Sequence, residues 1–223
     1  MKILGIEPNS LLEWKKHISY VIFLGKCNFR CPWCYAPHLV FEKTQELNKQ
    51  EIIEDIKQRK NFLNAICITG GEPTIHPELP GFLSKLKEIN IPIRIETNGS
   101  KPDMIKQLIE RKLVDSIVLD IKNSKEKYNE TCGTNVNLEN IQETIDIIKA
   151  SNIDHEFRTT LVPELHELED IEKIISWVGE KPTLKQFRSD LANESTLNPD
   201  FLEKGNYPQE KINNINNHVS LKV

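Results

Sequence analysis

Three thiols crowd one short run, Gly25-Lys26-Cys27-Asn28-Phe29-Arg30-Cys31-Pro32-Trp33-Cys34-Tyr35. Cysteines this close cannot all pair as disulfides, because one is always left over. They can converge on a metal centre, since thiolates are the ligands of iron–sulfur clusters. Three are one short of the four that close a cubane, so one iron would stay open to a ligand from outside the chain. A competing reading makes a small zinc site, with His38 as fourth ligand in Cys27-x3-Cys31-x2-Cys34-x3-His38.

Other residues with chemical potential fall in four further places. Gly70-Gly71-Glu72-Pro73 pairs two glycines, which let backbone approach a ligand with no Cβ in the way, or simply make a tight turn. Glu96-Thr97-Asn98-Gly99 carries polar side chains into an Asn-Gly turn pair. Asp120 and Lys122 occupy alternate positions and so share a face. A carboxylate and an ammonium there suit ribose hydroxyls and a cofactor carboxylate, or form an ordinary ion pair. Arg158 is a weaker candidate, because a strand arginine can snorkel to solvent. The histidines other than His38 stand in separate segments without ligand spacing, and read as satisfied or exposed. Cys67, within an apolar run, reads as a small buried hydrophobe, and Cys132 lies far along the chain from the cysteine loop.

These groups need a scaffold, and short β-branched runs alternate with segments of helical period. Strands are predicted at Tyr20–Leu24, Ala65–Thr69, Ile93–Glu96, Ile117–Asp120, Glu156–Leu161 and Leu184–Phe187. Helices are predicted from Asn48 (an N-cap with Glu51 three residues on) to Lys60, over Gly81–Asn90, from Pro102 to Glu110, after Asn137, and over Leu168–Val178. Such alternation implies right-handed crossovers and a parallel sheet covered on both faces. Six units are too few for a closed eight-fold barrel, and the expectation is an α/β fold with either a partial (β/α)6 barrel or a doubly wound sheet. In both, ligands bind beyond the carboxyl ends of the strands, which is where the motifs above fall. Residues 1–194 are expected to form the core, and 195–223 a C-terminal extension packing on it, with a helix from Pro208 and a last strand at His218–Val223.

The 223 residues suffice for one domain with a full core. Acids and bases, 33 against 29, are interspersed and leave a net charge of −4, with no basic patch for a nucleic-acid partner. Neither a signal-peptide core nor a membrane span is visible, so a cytoplasmic, reducing location is expected, where clustered cysteines favour metal or redox chemistry.

The C-x3-C-x2-C spacing, with an aromatic residue before the third cysteine, resembles the signature of the radical S-adenosylmethionine superfamily, and Gly70–Pro73 resembles its GGEP motif. The resemblance implies a partial (β/α)6 barrel and a [4Fe-4S] cluster held by Cys27, Cys31 and Cys34. It implies S-adenosylmethionine on the unique iron, touched by Trp33 and held at its amino group by Gly70, Gly71, Glu72 and Pro73. Glu96, Thr97, Asn98, Asp120, Lys122 and Arg158 complete the implied cofactor-binding set. Ser10–Trp14, Leu119–Lys122, Arg158–Pro163 and Leu184–Arg188 together resemble one branch, the anaerobic ribonucleoside-triphosphate reductase activating proteins and other activating enzymes of glycyl radical proteins. Lys26 departs from that pattern, standing where a glycine is usual.

For such a protein the implied chemistry is reductive cleavage of S-adenosylmethionine to methionine and a 5′-deoxyadenosyl radical, which takes a hydrogen atom from a glycine of the partner. The implied partners are a glycyl radical enzyme and flavodoxin or ferredoxin as electron donor. The alternatives are a radical enzyme acting on a small molecule or peptide, such as a carboxy-deazaguanine synthase-like reaction, and a zinc-binding interaction module.

Overall fold

A computed structural model describes residues 1–192, 198 and 200–220. Seven strands form one sheet in chain order: β1 (Ile3–Ser10), β2 (Ser19–Leu24), β3 (Ala65–Gly70), β4 (Ile93–Thr97), β5 (Ser116–Asp120), β6 (Asp154–Leu161) and β7 (Thr183–Gln186). β1 is antiparallel to β2, whereas β2–β3, β3–β4 and β6–β7 pair in parallel. The expected six strands and incomplete barrel sheet are present, with β1 and β7 at the ends of the order. The added strand is β1. Its Glu7-Pro8-Asn9 interrupts any apolar pattern, and proline fits only an edge or irregular position; the pairing accordingly slips between Glu7 and Ser10.

Between the strands lie α1 (Pro37–Val40), α2 (Lys49–Arg59), α3 (Leu79–Lys87), α4 (Pro102–Glu110), α5 (Tyr128–Cys132), α6 (Leu138–Ala150) and α7 (Leu168–Val178); α8 (Ser189–Ala192), α9 (Asp200–Glu203) and α10 (Gln209–Ser220) follow β7. The chain divides into two compact units. The first comprises Met1–Asn28, His38–Val118 and Glu139–His155, and the second Phe29–Pro37, Leu119–Leu138 and Glu156–Val223.

In the first unit, β2, β3 and β4 are buried along nearly their whole length, as apolar runs covered on both faces must be. Buried stripes at helical spacing lie on α2 (Ile52, Ile53, Ile56), α3 (Phe82, Leu83, Leu86), α4 (Ile105, Leu108) and α6 (Ile141, Ile145, Ile148). Asn48 caps α2 as its type predicts, its side-chain oxygen accepting from Gln50 N and Glu51 N. α3 begins at Leu79 rather than Gly81, because Pro80 is accommodated in its first turn, where a missing N–H costs nothing.

In the second unit, Trp33, Val162, Leu165, Phe187 and Phe201 form one buried cluster, with Cys31 and Tyr35 against it. Tyr207, fully buried, donates from its hydroxyl to His166 O. The expected last strand is not found: His218–Ser220 complete α10, where Ile212, Ile215 and Val219 are buried at helical, not alternating, spacing. Leu221–Val223 lie outside the described residues. Removing the α2 cap with Asn48→Ala should cost about 1 kcal/mol, read as a lower midpoint in urea with an unchanged slope.

Candidate active site

β2 ends at Leu24, and the backbone beyond it is held against the end of β3. Gly71 N–H donates to Leu24 O (2.9 Å) and Glu72 N–H to Lys26 O (2.7 Å). A Cβ on Gly71 would fall inside the radius of Lys26 O, and one on Gly70 (φ +117) inside that of the Leu24 backbone. Sequence reasoning leaves two readings of the glycine pair, backbone approach to a ligand or a tight turn; in the structure the end of β2 lies against both Cα atoms. Lys26 sits in the left-handed region (φ 62), which costs a non-glycine residue about 1 kcal/mol and accounts for the glycine usual at this position. His76 closes the turn, its neutral Nε2–H donating to Gly25 O (2.8 Å), while burial lowers the imidazole's affinity for a second proton.

Glu72 is almost completely buried. Its Oε1 accepts from Thr74 N (3.0 Å), Thr74 Oγ1 (2.5 Å) and Thr97 Oγ1 (2.7 Å), and its Oε2 from Asn98 N (2.6 Å). Burial raises its carboxyl above the usual range, and these hydrogen bonds pull it back. The β3 and β4 loops are thus joined by one carboxylate. Asn98 donates to Asn28 Oδ1 (3.0 Å) and accepts from Ser100 N (3.0 Å), while Asn28 donates to Ser100 Oγ (2.8 Å). Asn140 and Thr144 of α6 bind Ser100 O and Gly99 O. Glu96 accepts from Thr69 Oγ1 (3.0 Å), and Pro73 opens a 3-10 turn to Ile75. Asn28, Ser100, Asn140 and Thr144 have no sequence signal, because each is an ordinary polar residue whose partner is distant in the chain.

The cysteine loop crosses from one unit to the other: Cys27 belongs to the first, Cys31 and Cys34 to the second. None of the three is in a disulfide, and all are partly exposed. Cys34 N–H donates to Cys31 O (3.0 Å) and Ala36 N–H to Cys34 Sγ (3.4 Å), a tight turn that offers a donor to the sulfur. A hydrogen bond from Cys132, and then the Lys122 ammonium, lower the Cys31 thiol against burial; burial raises Cys34. Cys67, as its apolar run predicts, is fully buried, with its thiol pushed up to about 12. Among the described residues, no three His, Cys, Asp or Glu side chains stand grouped to hold a metal ion.

Asp120, Lys122 and Arg158 form one group in the second unit. Arg158 Nε donates to Asp120 Oδ1 (2.7 Å) and Lys122 Nζ to Oδ2 (3.1 Å), with Lys122 Nζ 5.5 Å from the Trp33 ring centre. Burial opposes its charge, yet the two cations hold Asp120 well below the usual carboxylate range, and Asp120 in turn holds Lys122 charged. Trp33, named from its place in the cysteine run, donates from Nε1 to Thr131 O (3.1 Å). His166, unmarked by spacing, takes Val162 N–H at Nδ1 (3.1 Å), so its Nε2–H donates to Lys122 O (2.8 Å). Tyr35 stacks on Phe187 and accepts Arg188 N–H at its hydroxyl (2.6 Å).

Residues 21–178 match the family model of the radical SAM superfamily. A Methanocaldococcus jannaschii protein named "Putative glycyl-radical enzyme activating enzyme" is 36% identical over 179 residues, 78% of this chain and 74% of that one. The 7-carboxy-7-deazaguanine synthase of Haemophilus influenzae is 37% identical over 83 residues, 37% of each chain. The Streptococcus suis SuiB structure bound to S-adenosylmethionine superposes on 90% of this chain with a TM-score of 0.62 and 16% identity, and this chain spans 48% of that one. The open, mostly parallel α/β sheet and the cysteine loop thus define the chain's class: it belongs to the radical SAM superfamily, whose enzymes use a [4Fe-4S] cluster and S-adenosylmethionine.

Two outcomes follow from the buried groups. Glu72→Ala leaves two N–H groups and two hydroxyls without their acceptor, and should cost about 3 kcal/mol in equilibrium unfolding. Protonating His166 breaks its bond from Val162, and burial lowers its folded pKa. Its contribution is therefore complete above about pH 6.5 and lost as pH falls below that value. His166→Asn should lose less stability than the native chain between about pH 7 and pH 5. That comparison separates the imidazole from Glu72, whose raised carboxyl acts with the opposite sign.

Proposed function

We propose that the protein is an activating enzyme that installs a glycyl radical on a partner protein. The observation that carries this reading is the extent of the match to the M. jannaschii protein named "Putative glycyl-radical enzyme activating enzyme": it covers 78% of the chain, against 37% for the deazaguanine synthase at nearly equal identity. A shared barrel segment explains the second; the first reaches across most of both proteins.

In this reading Cys27, Cys31 and Cys34 hold the cluster. The donor types fit: three cysteines on one loop, none in a disulfide, with a backbone N–H on Cys34 Sγ and a cation that favours the thiolate of Cys31. With S-adenosylmethionine bound, the cluster supplies an electron for carbon–sulfur cleavage and so hydrogen-atom abstraction. The chain's own work is positioning. The Gly70–Glu72 backbone, clamped on Lys26, presents main-chain atoms to the cofactor's amino group, and Pro73 directs the chain away. Glu72, Thr97 and Asn98 fix that loop, with Glu96 beside them. Lys122 and Arg158, gathered on Asp120, suit a carboxylate and ribose hydroxyls. Trp33 offers a ring whose orientation Thr131 O sets. No proton-transfer base is needed for a hydrogen-atom abstraction.

The partner is a glycyl radical enzyme such as an anaerobic ribonucleotide reductase, with flavodoxin or ferredoxin as electron donor in a reducing cytoplasm. No helix among the described residues is long and apolar enough to cross a membrane.

Anaerobic protein reconstituted with iron and sulfide, then given dithionite and S-adenosylmethionine, should release 5′-deoxyadenosine. Cys27→Ala, Cys31→Ala and Cys34→Ala should each abolish it. Adding a glycyl radical protein should give an electron-spin doublet. A small-molecule turnover product formed with no protein partner would replace this reading with the deazaguanine one. Colourless protein carrying stoichiometric zinc would end both.

A further inference from the structure

The run Leu11-Leu12-Glu13-Trp14-Lys15-Lys16-His17-Ile18 joins β1 to β2 and takes no part in the site above. It is a hairpin connection whose backbone is held in place. Leu12 N–H donates to Ser10 Oγ (3.2 Å) and His17 N–H to Trp14 O (3.0 Å). Arg94, a buried residue of β4, grips it from the sheet. Its Nη1 donates to Glu13 O (3.1 Å), and its guanidinium carbon stands 4.7 Å from the Trp14 ring centre. Arg94 Nε donates to Ser116 Oγ (3.0 Å), which ties the hairpin to β5 as well. Trp14 is thus turned onto the protein. Leu11 and Leu12 are left 68% and 81% exposed on a fixed backbone.

A second segment adds to this surface. Ser19 pairs with Ala65 in the parallel β2–β3 ladder, so the residues preceding each strand emerge at the same end of the sheet. Ile18 N–H donates to Asn64 Oδ1 (2.7 Å), and Asn64 N–H to Ile18 O (3.1 Å). Phe62, two residues before Asn64, is 58% exposed. Lys15, Lys16 and Lys60 are exposed in the same two segments, whereas Glu13 is half-buried and Asp154 is paired with Arg94.

These residue types suit a lipid surface better than a protein one. Protein interfaces are depleted in lysine, and leucine is under-represented among the residues that carry their binding energy. Segments that lie in a membrane interface combine leucine and phenylalanine toward the acyl chains with lysine toward anionic headgroups. Two copies meeting hairpin to hairpin would set Lys15 and Lys16 against their like-charged counterparts. The whole chain carries −4, so an anionic surface repels most of it and attracts this end.

We propose that the Leu11–Leu12 hairpin, with Phe62, is a peripheral anchor that sits in the headgroup layer of an anionic lipid bilayer. The cysteine loop begins at the other end of β2, about 20 Å away by the rise of that strand's six residues. An anchored molecule therefore keeps the loop clear of lipid. The inference does not depend on which reaction occurs there.

Full-length protein is sedimented with vesicles of phosphatidylcholine alone, and with vesicles of equimolar phosphatidylcholine and phosphatidylglycerol. The native chain should pellet with the anionic vesicles only, and raised salt should release part of it. The double variant Leu11→Ser, Leu12→Ser should partition about a hundredfold more weakly, because each leucine loses the transfer of most of its side chain. Lys15→Gln with Lys16→Gln should weaken partitioning about thirtyfold at low salt. All four side chains are exposed, so the urea midpoint should stay at the native value in both variants. Native protein that remains in the supernatant with anionic vesicles overturns the proposal, as does pelleting that the leucine variant retains in full. A native dimer that the leucine variant makes monomeric, with no vesicle binding, overturns it in favour of a second copy of the chain.

Discussion

The contact between the end of β2 and the two glycines that end β3 governs the first unit's part of the site. Backbone meets backbone there with no room for a side chain, and the hydrogen bonds Gly71 N–Leu24 O and Glu72 N–Lys26 O lock the approach. Its consequences run outward in order. The start of the cysteine loop is fixed at Lys26, at the cost of a left-handed lysine. Glu72 is delivered into the interior, where its carboxylate collects donors from both neighbouring loops. Asn98, held by that carboxylate through its N–H, then carries the ordering back to Asn28, next to Cys27. A buried carboxylate would be costly alone; here four hydrogen bonds make it a junction between segments distant in the chain.

The second unit solves the same problem by other means. Where the first uses close backbone packing at the ends of two interior strands, the second uses one turn of helix. α5 offers consecutive carbonyls to Arg30 and Trp33, and the buried cluster around Trp33 and Phe187 supplies apolar weight behind them. His166 binds the backbone on both sides, at Val162 N and Lys122 O, and so sets where Lys122 emerges beside Asp120 and Arg158. Cations, carboxylate and aromatic ring are therefore positioned from beneath by groups that do not face them.

Much of this was legible in the sequence, for identifiable reasons. Strands β2, β3 and β5 announce themselves as apolar runs, β4 and β6 as alternation, and Pro102 and Asn48 mark helix starts because their backbone chemistry suits that position. β1 was not legible, since an edge strand needs only one apolar face and tolerates Pro8. The cysteines, Gly70–Gly71 and the Asp120–Lys122 pair were visible as types at fixed spacing. Asn28, Ser100, Cys132 and His166 were not, because what each does depends on a partner from elsewhere in the fold. Spacing within a segment reads well; pairing between segments does not.

The buried bonding of Glu72, Thr97 and Asn98 shapes how this site can change over generations. With their side-chain atoms engaged by one another and by Thr74, Asn28 and Ser100, what these three fix is the path of the peptide backbone, which substitution cannot delete. Replacing any of the three alters recognition only by bending the strip of main chain they support, so graded drift in affinity, rather than a clean switch of ligand, is what mutation can reach here. An enzyme built this way keeps a constant reagent while leaving the rest of its surface free to court new substrates.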